Sequence, residues 1–216
     1  MNIVQPYAKL MGIETKEDGI KLLKKIEWCG RISHRSEESQ IEDSWKRFIE
    51  TVVLGHGDWS IVEHSSATVD MLVDRGITHE IVRHRLFSFT QESTRFVNYE
   101  KKMPASFINP MLEGEAFTVW EKAISVAEAA YLQLLQFVPP QIARSVFPNA
   151  LASRIIITGN LRNWRHFFIM RTTKEAHPQM RQVTIPLLVE FKEKIPILFD
   201  DIEPLTKQSE SMKRMR

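Results

Sequence analysis

The stretch "SATVDMLVDRGITHEIVRHRLFSFTQES", residues 66–93, decides the fold class of this chain. Residues 66–74 carry β-branched and apolar side chains in rough alternation, the pattern of a strand. Gly76 punctuates it. Ile77 and Ile81 then fall on one face of a short helix that takes in "ITHEIVRHR". After Arg85 the composition turns to hydroxyl and aromatic residues, and "LFSFTQES" reads as extended chain or loop.

Upstream, residues 16–28 place Ile20, Leu22, Leu23 and Ile26 at helical spacing, and residues 42–54 repeat this with Trp45, Phe48, Ile49 and Val53. Gly55 and Gly57 break the second pattern, so "GHGDWSIVEH" (55–64) reads as a loop. Downstream, the longest helix is expected over about 112–137, closed by "VPP", with a further short helix in "QIARSVFP". A second strand follows in "ALASRIIITGN" (150–160), then an amphipathic helix in "LRNWRHFFIMR" (161–171). The last helix starts near "HPQMRQV", with Pro178 in its first turn and Pro186 expected to kink or split it. The order is helices, strand, helices, strand, helices, without regular βαβ alternation. That predicts an α+β fold: one compact domain over 1–216, a central mixed or antiparallel sheet flanked by helices, and a flexible tail at 206–216.

With 216 residues, 43% of them hydrophobic, the chain can bury a full core without disulfides or metal. Its formal net charge of +2 gives no bulk attraction for nucleic acid, so any anion site must be a local set of arginines. Cys29 is the only cysteine, which excludes an intrachain disulfide and a cysteine-based zinc cage and fits a reducing cytosol. The N-terminus turns polar too early for a signal peptide, and no apolar run reaches bilayer length, so a cytoplasmic protein free of membrane is expected. Neither GxGxxG nor GxxxxGK[ST] occurs, which removes support for a Rossmann or P-loop nucleotide site.

The chemistry concentrates in residues 80–96. Arginine is a permanent, planar, multi-donor cation that matches phosphate and carboxylate oxygens. On a helix, Arg83 and Arg85 would point in well-separated directions, suiting two ligands or two parts of a large one. Arg95 with Ser93 and Thr94 offers a guanidinium plus hydroxyls, a phosphate cradle. Between its arginines His84 should stay neutral. Ile81, Val82, Leu86, Phe87 and Phe89 suggest a partly buried segment, in which Glu80 and Glu92 cannot serve three arginines. Arg144, Asn160, Arg162 and Arg171 fall near the ends of expected elements.

The string "RHRLFSFTQES", Arg-His-Arg followed by seven residues and Ser93, resembles the signature of the flavin-dependent thymidylate synthases. The likeness continues through "STRFVNY", "WSIVEHSSATV", "ARSVFPNA", "GNLRNWRHFF" and "MRTTKEAHPQMR", in family order, over roughly residues 55–200. The resemblance implies a compact α+β enzyme, a homotetramer with ligands bound between subunits. It would make dTMP from dUMP, with methylenetetrahydrofolate as carbon donor and NADPH as reductant through bound FAD. Carried over by position, Glu80, Arg83, Gln91, Glu92, Ser93, Thr94, Arg95, Arg144 and Arg171 would contact dUMP, with Ser93 and Arg95 at its phosphate. Arg171 would face the uracil as the catalytic cation. Ser60, Glu63, Arg83, His84, Arg85, Gln91, Asn160, Arg162 and His166 would contact FAD. No metal is implied. Thr90, Gln91, Glu80, Asp58, Glu175 and His166 depart from the commoner family pattern. Gln91 and Glu80 look like a coupled exchange of amide and acid in one pocket.

Three other chemistries compete. A cysteine-dependent thymidylate synthase would need Cys29 as nucleophile, yet Cys29 is far in sequence from every nucleotide motif and reads as a small buried residue at a helix end. Ser93 could act as nucleophile with His84 as base. A metal hydrolase built on His56, His64, His79 and His84 lacks any HExxH-like cluster. From a different class, an RNA-binding module could use the arginines and aromatics of 83–96 to stack bases.

Overall fold

Asp74 sets the geometry on which the functional residues depend. Its side chain accepts from the Ile77 backbone N–H at 2.8 Å, ending one strand and starting a helix within a single residue. The structure, a computed structural model, describes residues 1–101 and 104–204; the tail expected at 206–216 lies outside them. Two strands, β1 (Asn2–Ile3) and β2 (Tyr7–Met11), precede α1 (Lys16–Ile32). A capping box starts α1: Thr15 accepts from the Asp18 N–H while the Asp18 carboxylate accepts from the Thr15 N–H. Next comes α2 (Ser44–Phe48), which loosens into a π turn over Ile49–Gly55. The glycine-flanked stretch expected as a loop instead winds into a 3-10 helix, Trp59–His64, because Val62 is drawn fully into the core.

In β3 (Ser66–Asp74) Ala67, Val69, Met71 and Val73 are buried on alternate positions, as a one-faced strand requires. The helix capped by Asp74, α3 (Arg75–Ile81), buries Ile77 and Ile81. It ends before the Arg-His-Arg string, so Arg83, His84 and Arg85 occupy the turn beyond it rather than helix faces. Then follow β4 (Ser88–Gln91), β5 (Ser106–Phe107), α4 (Gly114–Leu134), α5 (Pro140–Ala143) with a 3-10 turn over Arg144–Val146, β6 (Ala152–Asn160), α6 (Leu161–Arg171) and α7 (Pro178–Lys194).

The expected break at Pro186 does not occur: α7 runs through it. An internal proline costs a helix about 3 kcal/mol. Val183, Leu187, Leu188 and Phe191 are all buried on this helix, and each contributes about 1.5–3 kcal/mol. Packing wins.

β1 and β5 pair in parallel, Phe107 bridges antiparallel to Leu151, and the larger sheet has the order β2–β3–β6–β4. The expected α+β class, with helices around mixed sheets, is what forms. The chain groups into two compact units, each drawn from three separate stretches. Among the described residues, the first is drawn from Met1–Tyr7, Met71–Arg83 and Phe89–Ile156; the second from Ala8–Asp70, His84–Ser88 and 157–204. Since each unit is discontinuous in sequence, neither can be cut out as one segment.

In the first unit the core gathers Tyr99, Phe107, Ile124, Tyr131 and Leu151, with the Phe147 ring stacked on Tyr131 at 4.3 Å. In the second it is an aromatic cluster of Phe87, Trp164, Phe167, Phe168, Phe191 and Phe199. The Trp164 indole N–H donates to the Ala67 carbonyl at 3.0 Å, so the largest side chain is buried without an unmet donor. Gly19 lets α1 approach α7: a Cβ there would lie 1.8 Å from the Lys194 carbonyl oxygen. Glu27 is fully buried, and its carboxylate oxygens accept from Arg31 at 2.7 Å and from Gln40 at 3.0 Å.

Candidate active site

In the first unit, the chain after β4 turns sharply at Ser93, whose backbone carbonyl accepts from both Phe96 and Val97 N–H groups. The turn presents Ser93, Thr94 and Arg95 together, with the Arg95 N–H donating to Ser93 Oγ at 3.3 Å. Arg144 reaches Thr94 from the 3-10 turn, donating through Nη1 to Oγ1 at 2.7 Å. A cavity of about 380 Å³ is lined by both of these residues. Glu92 accepts a 2.8 Å hydrogen bond from the buried Tyr99 hydroxyl, and its backbone N–H donates to the Arg154 carbonyl of β6. Burial and that carboxylate push the Tyr99 hydroxyl well above the usual phenol range. Tyr99 therefore stays neutral and keeps Glu92 in place.

Gln91 is locked in one orientation. Its Nε2 donates to Thr78 Oγ1 and to Ser153 Oγ, both at 3.0 Å. The Thr78 hydroxyl gives its own proton to the Arg75 carbonyl at 2.9 Å, so towards Gln91 it can only accept. With both amide hydrogens used, Gln91 offers a ligand only its oxygen. A glutamine held this way presents an acceptor, as a glutamate would. Thr78 and Ser153 meet the amide.

In the second unit, His84 and Arg171 form the central pair. Arg171 Nε donates to His84 Nε2 at 2.9 Å, which requires a lone pair on Nε2 and places the imidazole proton on Nδ1. Burial, then the Arg171 guanidinium, then His166 push the His84 pKa down to about 4. The neutral ring expected from sequence is present. Its edge packs on Phe167, centroids 5.0 Å apart, and His166 lies at 6.5 Å. The turn carrying His84 is closed by Phe87 N–H donating to the His84 carbonyl at 3.1 Å, and by Asn163 Nδ2 donating to the Leu86 carbonyl at 3.1 Å. Asn160 caps α6 by accepting from the Asn163 N–H, and exposed Arg162 pairs with exposed Glu63. Ser60 is exposed on the 3-10 helix beside them in sequence.

Of the expected dUMP residues, all but Arg171 lie in the first unit; of the expected FAD residues, all but Arg83 and Gln91 lie in the second. Arg83 and Arg85 are exposed rather than partly buried, and neither makes an ion pair among the described residues. Leu86, counted as a sign of burial, is 79% exposed; only Ile81 and Phe87 of the interleaved apolar residues are buried. Cys29, expected to be buried, is half-buried within α1. Among the described residues no three His, Cys, Asp or Glu side chains gather as a metal site, and no helix is long and apolar enough to cross a membrane. Tyr99, Thr78, Ser153, Asn163 and Arg75 belong to the site's construction and were not among the expected site residues; their roles depend on contacts between segments apart in sequence.

The depressed pKa has a testable sign. In the folded chain His84 titrates near 4, and when unfolded near 6.5. The unfolded state thus binds more protons between those values, so stability is complete above about pH 6.5 and falls as the pH drops towards 4. For a half-exposed ring the loss is on the order of 1 kcal/mol after solvent screening. Thermal melts from pH 7 to pH 4 should show the wild type losing stability more steeply than His84→Gln; parallel curves would contradict the assignment.

Residues 21–197 match the family model described as thymidylate synthase complementing protein, Thy1. The flavin-dependent thymidylate synthase of Mycobacteroides abscessus is 32% identical over 205 residues, covering 84% of this chain and 80% of that protein. The enzyme of the same name from Corynebacterium diphtheriae is 33% identical over 202 residues, covering 82% and 78%. A crystal structure of the UMP/dUMP methylase PolB from Streptomyces cacaoi, bound with 5-Br dUMP, superposes with a TM-score of 0.74 at 20% identity, over 93% of this chain and 96% of that one, a likeness of fold. The chain belongs to the flavin-dependent thymidylate synthase family.

Proposed function

We propose that this chain catalyses the reductive methylation of dUMP to dTMP, with methylenetetrahydrofolate as carbon donor and NADPH as reductant through bound FAD. The observation that carries the reading is the Arg171–His84 pair: a permanent cation whose guanidinium is oriented by a neutral imidazole. Carbon 5 of uracil becomes nucleophilic as the N3 proton leaves, and a fixed cation beside the developing anion stabilises that change without reorganising. Ser93, Thr94, Arg95 and Arg144 would hold the nucleotide phosphate, while Glu80, Arg83, Gln91 and Glu92 position the rest of dUMP. Gln91 would do so as an acceptor only.

The donor set suits an anionic dinucleotide. Arg83, Arg85 and Arg162 offer exposed guanidiniums, and His84 and His166 add rings. When bound, FAD supplies the hydride chemistry that no side chain can perform. Ser60, Glu63, Asn160 and the turn at His84 complete its expected contacts. A homotetramer with sites shared between subunits belongs to the same reading; Val119 and Val126 on α4 and Phe137 after it are at least 70% exposed, apolar surface that assembly would cover. A cytoplasmic location completes it.

His84 is a poor base for a nucleophilic Ser93, since Arg171 occupies its Nε2 lone pair and its pKa is low. The RNA-binding alternative draws no support from the family. Cys29→Ala is expected to turn over dUMP at the wild-type rate, within about twofold, in a coupled assay of dTMP formation; complete loss would restore the cysteine mechanism. The function itself is tested by the absorbance spectrum of the purified protein before and after dUMP. Flavin bands that shift with dUMP, followed by dTMP formation, are expected. A protein that binds no FAD refutes the reading.

A further inference from the structure

We infer that Asn163 is a positioning residue of the flavin site: its side-chain amide fastens the turn of residues 84–87 to the first turn of α6 and so presents Arg85 to the cofactor. This rests on the proposed binding of FAD. α6 holds the turn from positions 163, 164, 167 and 171, whose spacing puts them on one side of a helix. Arg171 Nε donates to His84 Nε2 at 2.9 Å, and the Phe167 ring packs on the same imidazole at 5.0 Å. The Trp164 ring meets Phe87 at 4.7 Å. Asn163 Nδ2 donates to the Leu86 carbonyl at 3.1 Å, across 77 positions of sequence. The first three contacts grip side chains, about which the main chain can still rotate. The fourth grips the main chain itself.

Asn163 is the third residue of α6, and its backbone N–H is spent on the Asn160 side chain at 2.9 Å. A polar side chain at that position commonly turns back on its own helix end. The half-buried amide of Asn163 reaches outward to the turn instead. With the Leu86 carbonyl tied and Phe87 inserted in the core, the side chains left facing solvent are Leu86, 79% exposed, and Arg85. Arg85 makes no ion pair among the described residues. A cation on a fixed turn beside an apolar side chain suits a ligand that is part anion and part ring system. Fixing the turn before the ligand arrives lowers the entropy cost of binding. Because Arg162 precedes Asn163 on α6, the same hydrogen bond also fixes the turn of Arg85 relative to the helix end that carries Arg162.

The test compares Asn163→Ala and Asn163→Asp with the wild type, each as full-length protein freed of flavin and titrated with FAD. Asn163→Ala should raise the dissociation constant for FAD about three- to tenfold, the share of one neutral hydrogen bond. Alanine is the better helix former, so the melting temperature should not fall, and lost affinity is then not lost folding. His84 supplies a readout without cofactor. Burial is the first cause of its low pKa, so a loosened turn should move its titration by NMR upward from about 4. Asn163→Asp keeps the shape but has no N–H to give. At about 1 M salt, where its charge is screened, it should bind FAD no more tightly than Asn163→Ala. An unchanged FAD affinity together with an unchanged His84 titration in Asn163→Ala would overturn the inference, as would an Asn163→Asp that binds FAD like the wild type. The two readings fail separately. A wild type with no affinity for FAD overturns the flavin reading, and the His84 titration alone then decides whether Asn163 holds the turn. Wild type and Asn163→Ala that bind FAD equally remove the role of Asn163 and leave the flavin reading standing.

Discussion

Arg171→Ala is expected to lower turnover of dUMP by about 10²–10³-fold, with a smaller change in the dUMP dissociation constant. Arg171 is the last residue of α6, and its backbone carbonyl accepts from the Thr184 hydroxyl at 2.8 Å, so the side chain leaves a firmly held helix end. His84 then fixes the guanidinium through Nε. A cation held this way contributes most where charge develops, which is why kcat should fall more than binding. Arg171→Lys should recover little, because an ammonium lacks the planar fork that meets both the imidazole and a ligand. A second readout does not depend on turnover. Without the neighbouring cation the His84 pKa should rise from about 4, visible as a shifted imidazole titration by NMR. Wild-type turnover in Arg171→Ala would remove Arg171 from the chemistry. An unchanged His84 titration would show that burial alone depresses its pKa.

Phe87→Ala should produce the largest loss of stability, about 3–5 kcal/mol, lowering the melting temperature on the order of 10 °C. The ring packs edge-on to Trp164 at 4.7 Å and Phe167 at 6.0 Å, and lies against the backbone of Gly159, where a Cβ would stand 2.3 Å from it. This is also the anchor of the turn that carries His84 and Arg85. The variant should therefore lose flavin affinity beyond what destabilisation explains. Phe168→Ala makes the control: it removes a fully buried ring from the same cluster without touching the turn. Equal flavin loss in both variants would show that Phe87 serves the core and has no special hold on the turn.

Much of the fold was legible because its signals are local. Alternation over 66–74 and the Ile77–Ile81 pair follow from chain geometry, and both survive burial unchanged. The short strands at 2–3, 7–11 and 106–107 were not legible, since two to five residues carry too little pattern and their pairing partners are distant in sequence. Pro186 shows tertiary packing overruling a local rule, and Val62 shows the same for a stretch read as a loop.

For the site, the residue types and their order along the chain were enough to identify the family and to expect a neutral His84. Sequence alone determines these because arginine's charge and the motif spacing do not depend on context. Only the tertiary structure decides what each group can do. It leaves Arg83 and Arg85 exposed in a turn, spends both hydrogens of Gln91 on Thr78 and Ser153, and turns His84 into an acceptor for Arg171. It also brings Arg75 to the cavity of Arg144 across 69 positions of sequence. Hydrogen-bond polarity and desolvation are set by neighbours in space, and those neighbours come from segments far apart in the chain.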